Sequence, residues 1–303
     1  MTSLFCALFV ASFAAGSVHT ISYGYSQNQG ADWPADNPLC YDGVYSHQTP
    51  IDIRPAHARE DVGLGQFSFS AQWQHTVTDG DLKNNEHTFQ FSDNDGNRTV
   101  TGGGLEGTYT FLQLHFHFGS LSSQAGAEHL LDGYRFPGEV HFVLQNAADF
   151  SPNQAGHLAV LGFFLEIGEE DNTLLEPIIS RIGEVSDYNS ASTAAVDGQI
   201  NLSELPSTPG LDRYFRYLGS LTTPTCDPVV VWTVFEDPLI VSTHQYDALL
   251  GMVDGNGTRI ENNFRRLMPL NARVVFRSPG TSSGAASLLA TTVVWLLALR
   301  CLH

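Results

Sequence analysis

The stretch that decides the fold reads Gln-Leu-His-Phe-His-Phe at residues 113–118, and a second stretch reads Glu-Val-His-Phe-Val at residues 139–143. Both alternate in the manner of β-strands, where residues two apart share a face. His115 and His117 therefore point to one side of the first strand. If the second strand pairs with its His141 face aligned, three imidazoles converge. Three neutral nitrogens plus a water form the tetrahedral, open coordination of catalytic zinc.

Two further side chains on these faces favour a metal site. Gln113 and Glu139 are each two residues from a predicted ligand, where a hydrogen bond can hold the imidazole in the tautomer that leaves its other nitrogen for the metal. The alternative is two half-buried histidines on one strand, because a chain with 12 His contains a His-x-His pair by chance about half the time. The third histidine, on a matching face, favours zinc.

Composition and charge limit the class of protein. Hydrophobic residues make up 42% of the 303 residues, enough for a sizeable core, and neither an internal repeat nor a linker rich in Pro, Gly or Ser divides the chain. One large domain is the simplest interpretation. The formal net charge is −18, and such a surface repels nucleic acid and anionic lipid headgroups, so nucleic acid is not expected as a partner.

The N-terminus has the features of an export signal. Residues 4–15 form an apolar run that ends in small residues, which predicts a signal peptide over 1–16, although no Lys or Arg precedes the run. A buried first strand or helix is the alternative. The mature domain is then expected over 17–278.

The C-terminus, residues 279–303, predicts a second targeting segment. A small, polar stretch is followed by an apolar run at 285–299. As a helix this run would span about 22 Å, which is short of a hydrocarbon core of about 30 Å. A GPI-attachment signal fits these features, and a short single-pass anchor is the alternative.

The cysteines agree with export. Cys6 and Cys301 fall in the two targeting segments, which leaves Cys40 and Cys226 for one disulfide in an exported domain. Three triplets with the N-glycosylation pattern also suit an exported chain, and they begin at Asn97, Asn201 and Asn256.

The rest of the chain predicts a β-dominated α+β domain. Short alternating segments separated by Gly, Pro, Asn and Asp indicate a largely antiparallel sheet; they are 66–78, 88–91, 108–118, 139–144, 158–167, 229–235, 264–268 and 273–276. Helical periodicity is weak and is strongest at 172–184 and 244–252, with Ser242 and Thr243 as capping residues before the second. We therefore expect few and short helices.

The histidine motif, with Glu128-His129 between its halves, resembles the active-site core of alpha-class carbonic anhydrases of the exported type. Similar matches occur in the same order at 48–53, 84–89, 217–224, 262–265 and 269–271. The resemblance covers about 23–277, and it implies a large, twisted, mostly antiparallel central sheet with short peripheral helices. It also implies a disulfide at the positions of Cys40 and Cys226. Tyr23 and Phe118 stand where the family usually has Trp.

The resemblance further implies a Zn²⁺ enzyme that converts carbon dioxide and water to bicarbonate and a proton by zinc-hydroxide attack. Thr222 would accept a hydrogen bond from the hydroxide and pass its own proton to Glu128. His87 would be the proton shuttle, because imidazole titrates near the working pH; without the motif it reads equally well as a surface histidine. The residues that match the family's substrate pocket are Tyr25, Asn85, Gln90, Val143, Val160, Leu221, Thr223, Val230 and Trp232. By pattern alone most of the apolar ones would be core.

Two other functions compete with this hypothesis. A non-catalytic binding domain on the same fold is one, but family relatives of that kind lack one or more ligand histidines. A different zinc hydrolase is the other, and the chain contains no His-Glu-x-x-His helix. We therefore expect a monomeric enzyme on the cell surface, held to the membrane by a lipid anchor, or secreted.

Overall fold

A computed structural model describes residues 23–25, 28–43, 46–148 and 151–280. The expected signal peptide at 1–16 lies outside these residues, as does the expected attachment signal except for 279 and 280. Within the described ranges, no helix has the length and apolar character needed to cross a bilayer.

Strands dominate the described chain, and they are short at its two ends and long in the middle. The strands are β1 (Asp52–Ile53), β2 (Arg59–Glu60), β3 (Phe67–Phe69), β4 (Gly80–Asn84), β5 (Phe89–Asp93), β6 (Thr99–Gly102), β7 (Tyr109–Phe118), β8 (Leu130–Leu131), β9 (Gly138–Asn146), β10 (Leu158–Gly168), β11 (Thr193–Ala195), β12 (Tyr214–Gly219), β13 (Val230–Phe235), β14 (Leu239–Ser242) and β15 (Phe276–Arg277). The α-helices are α1 (Glu176–Ile179) and α2 (Thr243–Leu249). The 3₁₀-helices are Trp33–Ala35, Pro38–Cys40, Pro55–His57, Ala71–Gln74, Ile182–Glu184 and Leu205–Ser207.

Apart from β1 and β8, which pair in a separate two-stranded sheet, these strands form one large mixed sheet. Its order is β11-β4-β5-β7-β9-β10-β13-β12-β15-β2, with β6 beside β7, β3 beside β6, and β14 beside β10. Most neighbours are antiparallel, whereas β10 pairs in parallel with both β13 and β14, and β15 pairs in parallel with β2. The expected β-dominated α+β class, with a mostly antiparallel sheet and short helices, is confirmed.

A bulge in β7 decides which side chains face which layer. The register between β7 and β9 shifts between Phe111 and Gln113. Before the bulge the odd-numbered Phe111 faces the larger core cluster, and after it the even-numbered Leu114 and Phe116 do. Because side chains alternate, the shift turns residues 113, 115 and 117 to the opposite face. The central strands β7, β9 and β10 therefore bury hydrophobic side chains on one face and build the site on the other.

Two local expectations were wrong, and a third, the helix within 172–184, was confirmed only over part of its length. Within 66–78 only β3 is a strand. Residues 71–74 form a 3₁₀-helix instead, and in it the buried Trp73 donates its indole N–H to Thr99 O at 3.0 Å. Residues 264–268 pair with no strand, because their backbone groups have other partners; Arg265 N, for example, donates to Glu128 Oε1 at 2.9 Å. Within 172–184 the structure has a four-residue helix, Glu176–Ile179, and a 3₁₀ turn.

The second expected helix is present. It begins at Thr243, and Ser242 caps it in a capping box with Gln245, in which each side chain bonds to the backbone N–H of the other residue. The expected cap at this position is therefore confirmed.

The disulfide between Cys40 and Cys226 is also confirmed, with 5.1 Å between the two Cα atoms. It packs with Tyr25 and Trp33 in a small cluster of its own. The bond ties the N-terminal segment to the loop that carries the predicted Thr222.

We expect the Cys40→Ser/Cys226→Ser variant to lose about 2–5 kcal/mol of unfolding free energy, because the bond closes a loop of 186 residues. Urea unfolding followed by tryptophan fluorescence measures this, with the reduced wild-type protein as the control. An unchanged midpoint in the variant would contradict the expectation.

Candidate metal centre

Three histidines meet on the face of the sheet opposite the larger core. Pairing of β7 with β9 places His115 directly across from His141, and His117 follows two residues along β7. One nitrogen from each ring lies within 4.8 Å of the others. His117 and His141 are buried, and His115 is partly exposed. The strand register therefore produces the predicted convergence of the three histidines.

The remaining nitrogen of each ring has a hydrogen-bond partner. The contacts are His115 Nδ1 with Gln113 Oε1 at 2.9 Å, His117 Nδ1 with Asn263 O at 2.7 Å, and His141 Nε2 with Glu139 Oε1 at 2.7 Å. Each partner is an oxygen acceptor, so each of these nitrogens carries the proton. The nitrogens left to bind a metal are Nε2 of His115, Nε2 of His117 and Nδ1 of His141.

The electrostatics keep the rings of His115 and His117 neutral. Burial, followed by the neighbouring His117 and His141, holds the pKa of His115 well below its ordinary value. Burial likewise lowers the pKa of His117. A metal ligand must be deprotonated at the coordinating nitrogen, and three neutral imidazoles are the donor set of open zinc sites. The residues present therefore fit zinc.

A second group of possible ligands, His129, Glu139 and His141, lies beside the first. Its carboxylate is already occupied: Glu139 Oε1 is 2.7 Å from a ring nitrogen of both histidines, and its Oε2 accepts from His129 N at 2.8 Å. His129 Nε2 in turn contacts Tyr217 Oη at 2.6 Å. This arrangement is a buried hydrogen-bond network that orients His141.

Glu139 remains ionised in this network. Burial raises its pKa, but the adjacent His129 and His141 outweigh burial and hold the pKa well below its ordinary value. The carboxylate therefore accepts the hydrogen bond from His141 at any physiological pH.

Glu128 is a second buried carboxylate aimed at the histidines. Its Oε1 accepts from Arg265 N, and its Oε2 lies 3.4 Å from His117 Nε2 and 4.0 Å from His141 Nδ1. Among the described residues, Oε2 has no hydrogen-bond partner. Thr222, the residue expected to donate to Glu128, is buried, and the structure contains no hydrogen bond between their side chains.

His87 lies in the turn between β4 and β5, half-buried, with its ring stacked on Tyr23 at 3.9 Å between centroids. Asn85 Oδ1 accepts from the backbone N–H of His87 and of Thr88, which fixes the turn. Burial lowers the pKa of His87 below 6.5, partly offset by Glu86. Gln90 stands next to the metal ligands, because it pairs with His115 across β5 and β7.

The predicted apolar residues form one wall beside the histidines. Val143, Val160 and Trp232 lie in a row across β9, β10 and β13. These three residues and Val230 belong to one buried hydrophobic cluster, and the partly buried Leu221 packs against that cluster. The Trp232 ring centroid lies 4.8 Å from that of His141.

The remaining predicted pocket residues are Tyr25 and Thr223. Tyr25 belongs to the disulfide cluster, and Thr223 is half-buried in the loop after β12. The glycosylation candidates Asn97, Asn201 and Asn256 are all exposed.

Sequence reasoning missed three contributors to the site. Asn263 binds His117 through its carbonyl, and its side chain bonds to Phe118 N and to the backbone oxygens of Phe116 and His87. A Cβ on Gly162 would lie 3.3 Å from Glu139 Oε1, so the glycine leaves room for that carboxylate. Tyr23, noted only as a replacement for Trp, covers the predicted shuttle.

The fold and the three-histidine centre agree with comparison to known proteins. Residues 28–279 match the family described as eukaryotic-type carbonic anhydrase. The chain belongs to this family, and it is therefore a carbonic anhydrase, an enzyme of the lyase class.

Named relatives support the assignment. Carbonic anhydrase 4 of Oryctolagus cuniculus is 35% identical over 240 residues, covering 77% of this chain and 76% of the relative. Carbonic anhydrase 4 of Mus musculus is 31% identical over 265 residues, covering 84% and 83%. Putative carbonic anhydrase 3 of Caenorhabditis elegans is 34% identical over 235 residues, covering 76% and 89%.

We expect Gln113→Leu to weaken zinc binding by about 10–100-fold, because His115 loses the acceptor that fixes its tautomer and orientation. Competition with a chromophoric chelator measures the affinity. Gln145→Leu is a matched control on the neighbouring strand β9, away from the three histidines. Equal zinc affinity in the two variants would show that Gln113 does not support the ligand.

Proposed function

We propose that this carbonic anhydrase hydrates carbon dioxide reversibly to bicarbonate and a proton, with zinc held by His115, His117 and His141. The observation that carries the proposal is the three-histidine cluster, in which each ring has one nitrogen hydrogen-bonded and one left for the metal. Membership of the family supports the same reaction.

Zinc in this site would supply hydroxide at neutral pH by lowering the pKa of its water far below that of bulk water, to about 7, a figure known for carbonic anhydrases in general. The protein's part is to provide only neutral ligands. A carboxylate in the ligand set would reduce the positive charge on the metal and weaken that effect. Glu139 is kept out of the ligand set by its hydrogen bonds to His129 and His141.

Glu128 and Thr222 are proposed to orient the nucleophile. A buried carboxylate oxygen without a partner is costly, so Glu128 Oε2 favours a nearby hydroxyl donor. Thr222 would donate its hydroxyl proton to Glu128 and accept a hydrogen bond through the same oxygen. This chain of donors excludes anions that bring no proton.

The substrate would lie against the apolar wall of Val143, Val160, Leu221, Val230 and Trp232, because carbon dioxide is apolar and gains nothing from polar walls. Thr223 is proposed to contact substrate or bicarbonate at the edge of the wall. Tyr25, Asn85 and Gln90 are proposed to line the polar side, where they order water.

His87 is proposed to take up the proton that the reaction releases and to pass it to solvent from a ring nitrogen. Its partial exposure supports this role, since one side of the ring reaches water. The lowered pKa leaves the ring neutral, and so able to accept a proton, at neutral pH.

For the chain as a whole we propose a signal peptide at 1–16, an enzyme domain at 17–278 and a lipid-attachment signal at 279–303. The disulfide supports export, because such bonds persist in oxidising compartments. Exposure of Asn97, Asn201 and Asn256 supports their modification. The enzyme would then act as a monomer at the cell surface or in the extracellular space.

The proposed function is tested by stopped-flow carbon dioxide hydration of the purified protein before and after zinc removal. We expect the rate to fall to the uncatalysed level without zinc and in His115→Ala, because an incomplete ligand set does not retain the metal. His57→Ala, an exposed histidine in a 3₁₀-helix, is the matched control and should keep full activity. Hydration that survives chelation would refute the proposal, and zinc binding without hydration would favour a binding domain.

We expect His87→Ala to lower kcat by roughly 10²-fold in weak buffer, because proton transfer then depends on water alone. Added imidazole should restore the rate, whereas kcat/KM should change little. In the wild type, burial lowers the pKa of His87, so the ring stays a proton acceptor to lower pH and the kcat profile should turn down below pH 6.5. A variant with unaltered kcat in weak buffer would exclude His87 as the shuttle.

A further inference from the structure

A cavity of about 590 Å³ lies outside the metal centre, and the residues around it include Leu64, Arg216, Val231 and Phe276. None of the three ligand histidines and none of the proposed substrate-wall residues lines it. Its volume falls in the range of sites that enclose small organic ligands. We refer to it as the Arg216 cavity.

Arg216 is a buried cation that contacts no carboxylate among the described residues. The residue is 7% exposed. Nε and Nη2 donate to Thr233 Oγ1 at 3.2 and 2.9 Å, and Nη2 also donates to Gly103 O at 2.8 Å. Both acceptors are neutral, and in the described part of the chain no carboxylate oxygen lies within 4.0 Å of the guanidinium. Burial lowers the pKa of Arg216 to about 10, so the group remains charged at neutral pH.

Arg98 shows one way in which this protein buries an arginine. It is 1% exposed, and its Nη1 lies 2.7 Å from Asp93 Oδ2 and 3.2 Å from Asp95 Oδ2. Buried charges in proteins are generally compensated in this way, because an unpaired charge costs free energy. Arg216, like the buried Arg265, bonds only to neutral acceptors, and Arg216 does so at the wall of a cavity.

The free donor of Arg216 is Nη1. Among the described residues it has no hydrogen-bond partner. It lies beside Gly104, another residue of the cavity wall, 3.4 Å from the position that a Cβ on that glycine would occupy. An oxygen anion in the cavity can therefore accept a hydrogen bond from Nη1, which donates to no other described group.

The other charges around the cavity define the ligand further. Arg273 also lines it, and its guanidinium bonds only to the backbone oxygens of Leu270, Pro269 and Leu218. Asp61, Glu106 and His47 also line the cavity, and the charge of Asp61 raises the pKa of Arg216 although the two side chains are not in contact. His47 and Glu106 are exposed, and Asp61 Oδ1 accepts from Gly63 N. The two carboxylates disfavour a ligand that is a dianion. The apolar side chains of Leu64, Val231 and Phe276 favour a ligand with a hydrocarbon part.

We propose that the Arg216 cavity binds a monocarboxylate with an apolar body. The carboxylate accepts from Arg216 Nη1, and the hydrocarbon lies against Leu64, Val231 and Phe276. Such a ligand compensates the buried charge and removes apolar surface from water at the same time. The site is separate from the metal centre, so the proposal does not depend on the enzymatic reaction.

Titration calorimetry with sodium octanoate tests the proposal on the zinc-loaded protein, with octanamide as the neutral analogue. We expect saturable binding of octanoate at one site and at least 10-fold weaker binding of octanamide. Arg216→Met should weaken octanoate binding by at least 10-fold. Arg54→Met, which removes an exposed arginine paired with Asp52, is the matched control and should leave binding unchanged.

His115→Ala separates this site from the metal, since a carboxylate bound to zinc would be lost in that variant and retained in Arg216→Met. If Arg216→Met fails to fold, Ala155→Trp, which fills an exposed position of the cavity wall, should abolish binding instead. Absent binding, equal binding in the Arg216 and Arg54 variants, or loss of binding in His115→Ala would each overturn the proposal.

Discussion

In the pairing of β7 with β9, His115 lies directly opposite His141, and His117 lies opposite Glu139. The metal centre depends on this register, because side chains alternate and a slip of one residue would turn every ligand into the hydrophobic core. The core holds the register in place, since Phe116 and Phe142 fill the opposite face of the same strands. Packing of hydrophobic side chains on one face of the sheet therefore positions the ligand histidines on the other face.

Hydrogen bonds then convert three nearby rings into a defined ligand set. Burial keeps His115 and His117 neutral, and an oxygen acceptor behind each of the three rings selects its tautomer. Glu139 is the most constrained of these acceptors, because its negative charge is buried and is tolerated only through its contacts with His129 and His141. The same carboxylate thus supports the metal site without occupying a coordination position.

At the metal centre and in the Arg216 cavity, the fold leaves polar groups without hydrogen-bond partners. At the metal centre, Glu128 Oε2 and three ring nitrogens face a common space. In the cavity, Arg216 Nη1 has no hydrogen-bond partner among the described residues. Unfilled donors and acceptors in a buried region are costly unless a ligand completes them, so both places point to an occupant of the opposite chemistry.

Sequence by itself determined the three histidines, their supporting Gln113 and Glu139, the disulfide and the β-dominated class. These features follow from local alternation, spacing and residue chemistry, which need no knowledge of the distant chain. Tertiary structure alone decided the roles of Asn263 and Gly162 and the stacking of Tyr23 on His87. Residue 263 lies 146 positions from the histidine it supports, and no periodicity in a sequence reports a contact of that range.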